Sequence, residues 1–359
     1  MFFCNADGQL PRPHYSQQSE QICLRKKNVP LSVLDLAPIP QGASARDAFH
    51  ASLSLARQAE KQGFNRYWLA EHHNMTGIAS AATSVLIGYL AANTTTLRLG
   101  SGGIMLPNHA PLVIAEQFGT LESLYPGRID LGLGRAPGSD QRTMMALRRH
   151  HSNAGMIDSF PEDVETLIAW FDADKEAQLP VQPVPGLGLQ IPVWLLGSSL
   201  YSAQLAAKMG LPFAFASHFA PDLLFQALHM YRENFQPSER LDKPYAMVCV
   251  NIVAADSEKE ARFLFTSMQQ QFINLRRGKP GPLPKPVENM DNLWSPSEQY
   301  GVQQALSMSI VGDSTKVQHG LAALIRETQA DEIMVNGQIF DHQARLRSFE
   351  LAMQAAQAL

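Results

Sequence analysis

The sequence predicts an α/β protein built as a (β/α)8 TIM barrel with insertions. From Leu31 onward, short runs rich in apolar, β-branched and aromatic residues alternate with longer stretches whose apolar residues fall at helical spacing. That is the pattern of a parallel sheet wrapped by helices. Eight such units follow one another in about 330 residues, which suits a barrel carrying insertions. Histidines, serines and an arginine also collect at the predicted C-terminal ends of the strands, where a barrel carries its site. The rival reading of the same alternation is a doubly wound open sheet.

Each element follows from its residues. LSVLDLA (31–37) reads as the first strand. Residues 47–62 then place Ala48, Leu55, Ala56 and Ala59 on one helical face, and Gly63 stops them. NRYWLA (65–70) is the second strand and 79–92 a helix. TLRLGSGGIML (96–106) is the third strand; the helix 111–124 carries Pro111 in its first turn, where the missing N–H is harmless. GRIDLGLG (127–134) and the helix 161–171 form the fourth unit, IPVWLLG (191–197) and 199–209 the fifth, LPFAFAS (211–217) and 222–235 the sixth. YAMVCVNIVAA (245–255) with 257–277, and DEIMVNG (331–337) with 343–357, complete the eight.

Three segments interrupt this rhythm. Residues 1–30 carry scattered polar residues and no periodicity, and read as a disordered extension or a translated segment upstream of the functional start. Residues 31–359 form the single barrel domain. LRRHHSNAGMID (147–158) is a polar excursion. GKPGPLPKPVENMDNLWSPS (278–297) is rich in proline and glycine; a loop of that length reads as a mobile lid or as a tolerated surface insertion.

The formal charge of −4 and the lack of a basic stripe argue against a nucleic-acid partner. No apolar run approaches the ~20 residues that span a bilayer. Cys4, Cys23 and Cys249 form neither a zinc pattern nor a disulfide framework, which fits a reducing cytoplasm. The expectation is a cytoplasmic protein acting on a small molecule.

The strand ends hold the candidate chemistry. Strand two runs into Glu71, His72 and His73. Strand three passes Gly102 and Gly103 toward Asn108 and His109. Strand four ends at Arg135, strand five at Ser198 and Ser199, strand six at Ser217 and His218, strand eight at Asn336 and Gln338. Neighbouring residues on an extended chain point in different directions, so Glu71, His72 and His73 by themselves do not read as a metal site, and HExxH spacing is absent; a mononuclear site would have to recruit His109 or His218. His73 reads as a structural histidine bonded to a backbone carbonyl; His72 is either that or an acid/base group. Asp35 bonds a site group or serves the structure alone. GLGRAPG (132–138) fails the dinucleotide fingerprint, because Pro137 stands where a third glycine is needed. GSSLYSAQLAAKMG (197–210) is a strand end, a glycine, two serines and an immediate helix, which suits an anion such as a phosphate, with Arg135 as a nearby cation. Simple serine capping explains the same residues equally well.

WLAEHHN, GSGGIMLPNHAP, YPGRIDLGLGRAPGSD and GSSLYSAQLAAKMGLPFAFASHF, in this order and spacing, resemble the bacterial luciferase-like flavin monooxygenases. The resemblance runs from about Leu31 to the C-terminus. It implies a (β/α)8 barrel that takes reduced FMN from a separate flavin reductase and uses O2. Through a flavin C4a-hydroperoxide it would oxidise an aldehyde or another small organic substrate. On that resemblance His72 is the acid/base histidine, Gly102–Gly103 the non-prolyl cis peptide beneath the flavin ring, and Arg135, Ser199 and Ser202 phosphate ligands. Two positions depart from the family. Gly134 stands where luciferases carry a reactive cysteine, which removes the expectation of light emission and long-chain aldehyde specificity. Ser198 replaces a glutamate beside the phosphate, making that end more electropositive. Related barrels transfer hydride from a deazaflavin, and other relatives bind flavin without turnover; both remain alternatives. Family analogy also implies a homodimer.

Overall fold

The computed structural model describes residues 29–136, 141–147, 159–172 and 180–359. The extension 1–28, most of the polar excursion and Pro137 lie outside the described residues. Ten strands are present among the described residues: β1 (Leu31–Asp35), β2 (Arg66–Leu69), β3 (Arg98–Ser101), β4 (Ile104–Met105), β5 (Ile129–Gly134), β6 (Val193–Gly197), β7 (Phe213–Phe215), β8 (Ala246–Ala254), β9 (Ile310–Gly312) and β10 (Glu332–Asn336). All pair in parallel. The ring runs β1–β2–β3–β5–β6–β7–β8–β10 and closes through β10 onto β1, with Leu31 opposite Ile333 and Leu34 opposite Asn336. The eight-stranded barrel is therefore closed.

Its helices are α1 (Ala45–Gln62), α2 (Thr83–Ala91), α3 (Pro111–Leu124), α4 (Gln141–Leu147), α5 (Phe160–Trp170), α6 (Leu200–Met209), α7 (Leu224–Glu233), α8 (Glu258–Arg276), α9 (Pro296–Ala305), α10 (Ser314–Thr328) and α11 (His342–Gln357). Local chemistry sets their ends. Ser44 and Asp47 close a capping box on α1, and Gly63 at φ 84° terminates it.

Alternation along each strand creates two cores. Val33, Tyr67, Leu69, Leu131, Phe213, Phe215, Val248 and Val335 face outward into the layer beneath the helices. Leu34, Trp68, Ala70, Trp194, Ala214, Met247, Cys249 and Met334 fill the barrel interior. Because both faces are covered, the strands read as continuous apolar runs.

Several boundaries differ from expectation. The predicted third strand is two pieces, β3 and β4, separated at the cis Gly102–Gly103 peptide. Helix α2 starts at Thr83 rather than 79. Four of the named elements stand outside the predicted set: α4, α9, β9 and α10. Helix α9 buries Val302 alone, too little for an apolar stripe; its signal is the Ser295/Glu298 capping box with Pro296 at its first turn. Helix α10 does carry a stripe, Val317, Leu321, Leu324 and Thr328. Strand β9 pairs with Ile252–Ala254, the far end of β8, outside the ring.

Segment 278–297 is a strap that packs against the loops leaving β1 and β2 and against α8. Leu283 is buried; its N–H donates to Ile39 O (2.8 Å), and its carbonyl accepts from Gln41 N–H (2.9 Å). Ile39 N–H in turn donates to Gly77 O (2.9 Å). The strap thus ties the loops leaving β1 and β2.

Candidate active site at the C-terminal face of the barrel

The period-two register of β2 decides which way the EHH segment points. Trp68 and Ala70 face the interior, so His72 continues onto the barrel axis. Tyr67 and Leu69 face outward, so Glu71 and His73 share the opposite side. The neighbours do diverge as expected, but residues two apart converge. His73 Nε2–H and His109 Nε2–H both donate to Glu71 Oε1, at 2.7 and 2.8 Å, and Met105 N–H donates to Oε2 at 3.0 Å. The partner of His73 is therefore a carboxylate and not a backbone carbonyl. Burial alone would raise the Glu71 carboxyl; the His109 and His73 rings and the Met105 N–H outweigh it and hold it below its ordinary range. Donor atoms of Glu71, His73 and His109 lie within 4.8 Å of one another, a set chemically able to hold a metal ion. Their spacing is that of hydrogen bonds, and the carboxylate links the loops after β2 and β4.

His72 has a different environment. Its Nδ1 is shut off from solvent and has no hydrogen-bond partner, and burial pushes the imidazole down to about 4. It is neutral at physiological pH. His218, at the end of β7, is similar: Nδ1 is enclosed and unpartnered, and burial lowers the ring to about 3 with a further contribution from His72.

A wall made of glycine lies beside His72. Gly100 and Gly102 of the β3 segment and Gly132 of β5 occupy inward positions that are already packed: a Cβ would strike Asp130 and Trp68 at Gly100, Leu34 and Trp68 at Gly102, and Ser101 O and Leu196 at Gly132. A Cβ on Gly103 would strike Gly132 O at 2.8 Å. At Gly134 a Cβ would meet only Ile104 O, at 3.8 Å, so the wall opens there. At Gly134 a flat ring system can approach the backbone closely, since no side chain projects there. The alternate glycines at strand spacing are the sequence signal that would have revealed this wall.

The anion end adjoins it. Ser199 occupies the N-cap of α6 in extended conformation, yet its side chain makes no capping hydrogen bond. Simple serine capping is thus not what these residues do. The helix start offers its first N–H groups and its positive dipole end, with Ser198 alongside and Ser202 buried one turn in. Arg135 projects from the end of β5 with its guanidinium 4.0 Å from the centroid of the Tyr201 ring, so α6 itself orients the cation. Phosphate chemistry fits this donor set. A cavity of about 480 Å³, lined by His73, Asn74, Arg142, Thr143, Ala146 and Leu147, lies between the EHH loop and α4.

Asp35 is structural. It is fully buried and accepts from Ser52 and Tyr67 hydroxyls, Ala37 N–H and Arg345 (2.8 Å), outside the barrel interior. Among polar residues the strand-end reading did not single out, Asn251 matters: its Nδ2 donates to His218 O at 2.6 Å and its Oδ1 accepts from Asn336 at 2.8 Å.

A closed parallel barrel whose C-terminal face joins an anion-accepting helix start, a glycine wall and buried imidazoles defines a cofactor-type barrel enzyme. The chain belongs to the luciferase-like monooxygenase family, whose pattern residues 29–332 match. It is 76% identical over 333 residues to a luciferase-like monooxygenase of Escherichia coli K12, covering 93% of this chain and 98% of that one. It is 31% identical to the N-acetyl-S-alkylcysteine monooxygenase of Bacillus subtilis, covering 91% and 98%. Apo-MsnO8 superposes with a TM-score of 0.80 at 31% identity, covering 91% of this chain and 98% of that one. More distant structures share the fold. The oxygenating constituent of a Pseudomonas putida 3,6-diketocamphane monooxygenase, in complex with FMN, has 18% identity and a TM-score of 0.69, covering 92% and 98%. An F420-dependent secondary alcohol dehydrogenase has 14% and 0.66, covering 91% and 98%. Among the described residues no helix is long and apolar enough to cross a membrane.

Proposed function

We propose that this enzyme uses reduced FMN and O2 to oxidise a small organic substrate, an aldehyde or a compound of similar size. The observation that carries this reading is the uncapped Ser199 at the start of α6 beside Arg135. Arg135, Ser198, Ser199 and Ser202 with the α6 N–H groups would hold the phosphate, and Gly102–Gly103 with the glycine wall would take the ring. Bound reduced FMN would supply the electrons that activate oxygen at its C4a position. His72, neutral and enclosed, is suited to take or give one proton beside the ring. The strap over the β1 and β2 loops would keep water from the reacting atoms. A separate cytoplasmic reductase would deliver the reduced flavin. A homodimer would cover exposed apolar residues such as Val85 on α2 and Val113 and Leu124 on α3, and sedimentation at micromolar concentration tests it.

Anaerobic titration with oxidised and reduced FMN, and with oxidised and reduced deazaflavin, tests the cofactor. Reduced FMN is expected to bind, and Arg135→Ala combined with Ser199→Ala to weaken it at least tenfold. His72→Ala is expected to keep the affinity and alter the rate at which the bound reduced flavin reacts with oxygen in stopped flow. Binding of the deazaflavin alone would replace this reading with hydride transfer.

A further inference from the structure

Among the described residues, Glu71, His73 and His109 form the one set of three metal-type donors that converge, with ligand atoms all within 4.8 Å of one another. They come from two loops: Glu71 and His73 follow β2, and His109 follows β4. Both ring Nε2 atoms sit on a single oxygen, Glu71 Oε1, at 2.7 and 2.8 Å. Zinc holds nitrogen and oxygen ligands at ~2.0–2.1 Å, so tetrahedral neighbours stand roughly 3.3 Å apart. A shift of roughly 1 Å or less at each ring nitrogen therefore admits an ion among these three atoms. The carboxylate is already oriented for it. Met105 N–H occupies Oε2 at 3.0 Å and leaves Oε1 to the histidines, and such outer bonds fix a ligand's direction.

The backbone sets both histidines. His109 ends one turn of 3-10 helix, Leu106–Asn108, with its N–H donating to Leu106 O (2.9 Å), and α3 begins two residues on at Pro111. After His73 the chain turns through Asn74 in the left-handed region, at φ 55°, which asparagine adopts readily. Donor chemistry selects the ion. Two imidazoles and one carboxylate suit Zn2+ and its transition-metal neighbours, whereas Mg2+ and Ca2+ prefer oxygen alone. The ion also has a way in. The Glu71 side chain is 1% exposed, but those of His73 and His109 keep 15% and 25%. His73 lines the cavity of about 480 Å³, which leaves room for water at a remaining coordination position. A neutral ring with its hydrogen on Nδ1 offers the Nε2 lone pair to the ion, the reverse of the tautomer that donates to Glu71.

We propose that Glu71 Oε1, His73 Nε2 and His109 Nε2 bind one divalent transition-metal ion of the zinc class, pinning the loop after β2 to the loop after β4 beside His72. The site stands on these side chains alone and not on the flavin reading. Untagged protein, stripped with EDTA and exchanged into chelator-free buffer, is titrated without flavin, with ZnCl2 by calorimetry and with CoCl2 by visible absorption. The expected result is one Zn2+ per chain with a dissociation constant of ~10 µM or below. Co2+ should give the intense visible bands of a four-coordinate ion, and Zn2+ should raise the melting temperature by binding the folded state. His109→Ala and Glu71→Gln should each weaken Zn2+ at least tenfold, while His72→Ala binds it as the unaltered protein does. His109→Gln keeps an N–H for Glu71 and so preserves the tie between the loops, yet should still lose the ion while its circular dichroism stays unchanged. No saturable Zn2+ binding, equal binding of MgCl2, unchanged Zn2+ affinity in His109→Gln, or loss of the ion in His72→Ala overturns the assignment. Because flavin is absent from the titration, either result leaves the cofactor reading as it stands.

Discussion

His72 and Glu71 are adjacent, yet they live in opposite electrostatic regimes. Glu71 is charged because two ring N–H groups and an amide surround it; His72 is uncharged because little near it compensates for burial. The consequence is a pH dependence of stability. In the unfolded chain both His72 and His218 titrate near ~6.5, while the folded rings titrate at about 4 and about 3. Between those values the unfolded state binds protons that the folded state refuses. Stability is therefore full above pH ~6.5 and falls on acidification, by at most about 1.4 kcal/mol per pH unit for each group. Urea unfolding at intervals from pH 7.5 to 4.5 is expected to show this slope, and His72→Phe with His218→Phe to flatten it. An unchanged slope in the double variant would mean that neither ring is held neutral.

At the scale of elements, the strap is locked by a glycine. A Cβ on Gly77 would lie 1.9 Å from Gly281 O and 2.6 Å from Gly281 C, both backbone atoms that cannot turn aside. Gly77→Ala is expected to lift the strap, cost about 1–3 kcal/mol and expose residues 278–287 to limited proteolysis. A resistant, fully stable variant would show that the strap is not seated on the EHH loop. The strap's composition was legible in the sequence; its seat was not, because Gly77 and Gly281 are far apart in the chain and neither carries a side chain whose pattern could betray the contact. Helix α9 was missed for a related reason: an element that buries one residue leaves almost no periodicity.

The whole molecule divides function from stability along the barrel axis. At the N-terminal end Arg66 donates to Asp130 (2.7 Å) and Glu332 (2.8 Å), with Arg98 on Asp130 and Tyr245 on Glu332, and its guanidinium lies 4.8 Å from the Trp194 ring centroid. Burial would lower the Arg66 pKa, but the two carboxylates outweigh it and raise it. No part of the proposed chemistry reaches this plug. Arg66→Met leaves buried Glu332 without a cation, while Asp130 keeps Arg98, and is expected to cost about 3–5 kcal/mol, read as a lower urea midpoint. FMN affinity should be unchanged under conditions where the variant is folded. A loss of flavin binding out of proportion to unfolding would show that the two ends communicate.

Alternation of apolar runs was enough to establish the barrel, because each strand is buried on both faces and each helix on one. Strand ends marked His72, Arg135 and Ser199 as site residues because a parallel barrel places those ends together whatever the loops do. Three things were decided only by the tertiary structure. Glu71 binds His73 and His109 because residues two apart share a side and the loop after β4 returns to meet them. The inward glycines become a wall because β3 and β5 are neighbours in space. His218 comes within electrostatic reach of His72 although β2 and β7 lie opposite in the eight-stranded ring, a relation between residues 146 positions apart that no local periodicity encodes.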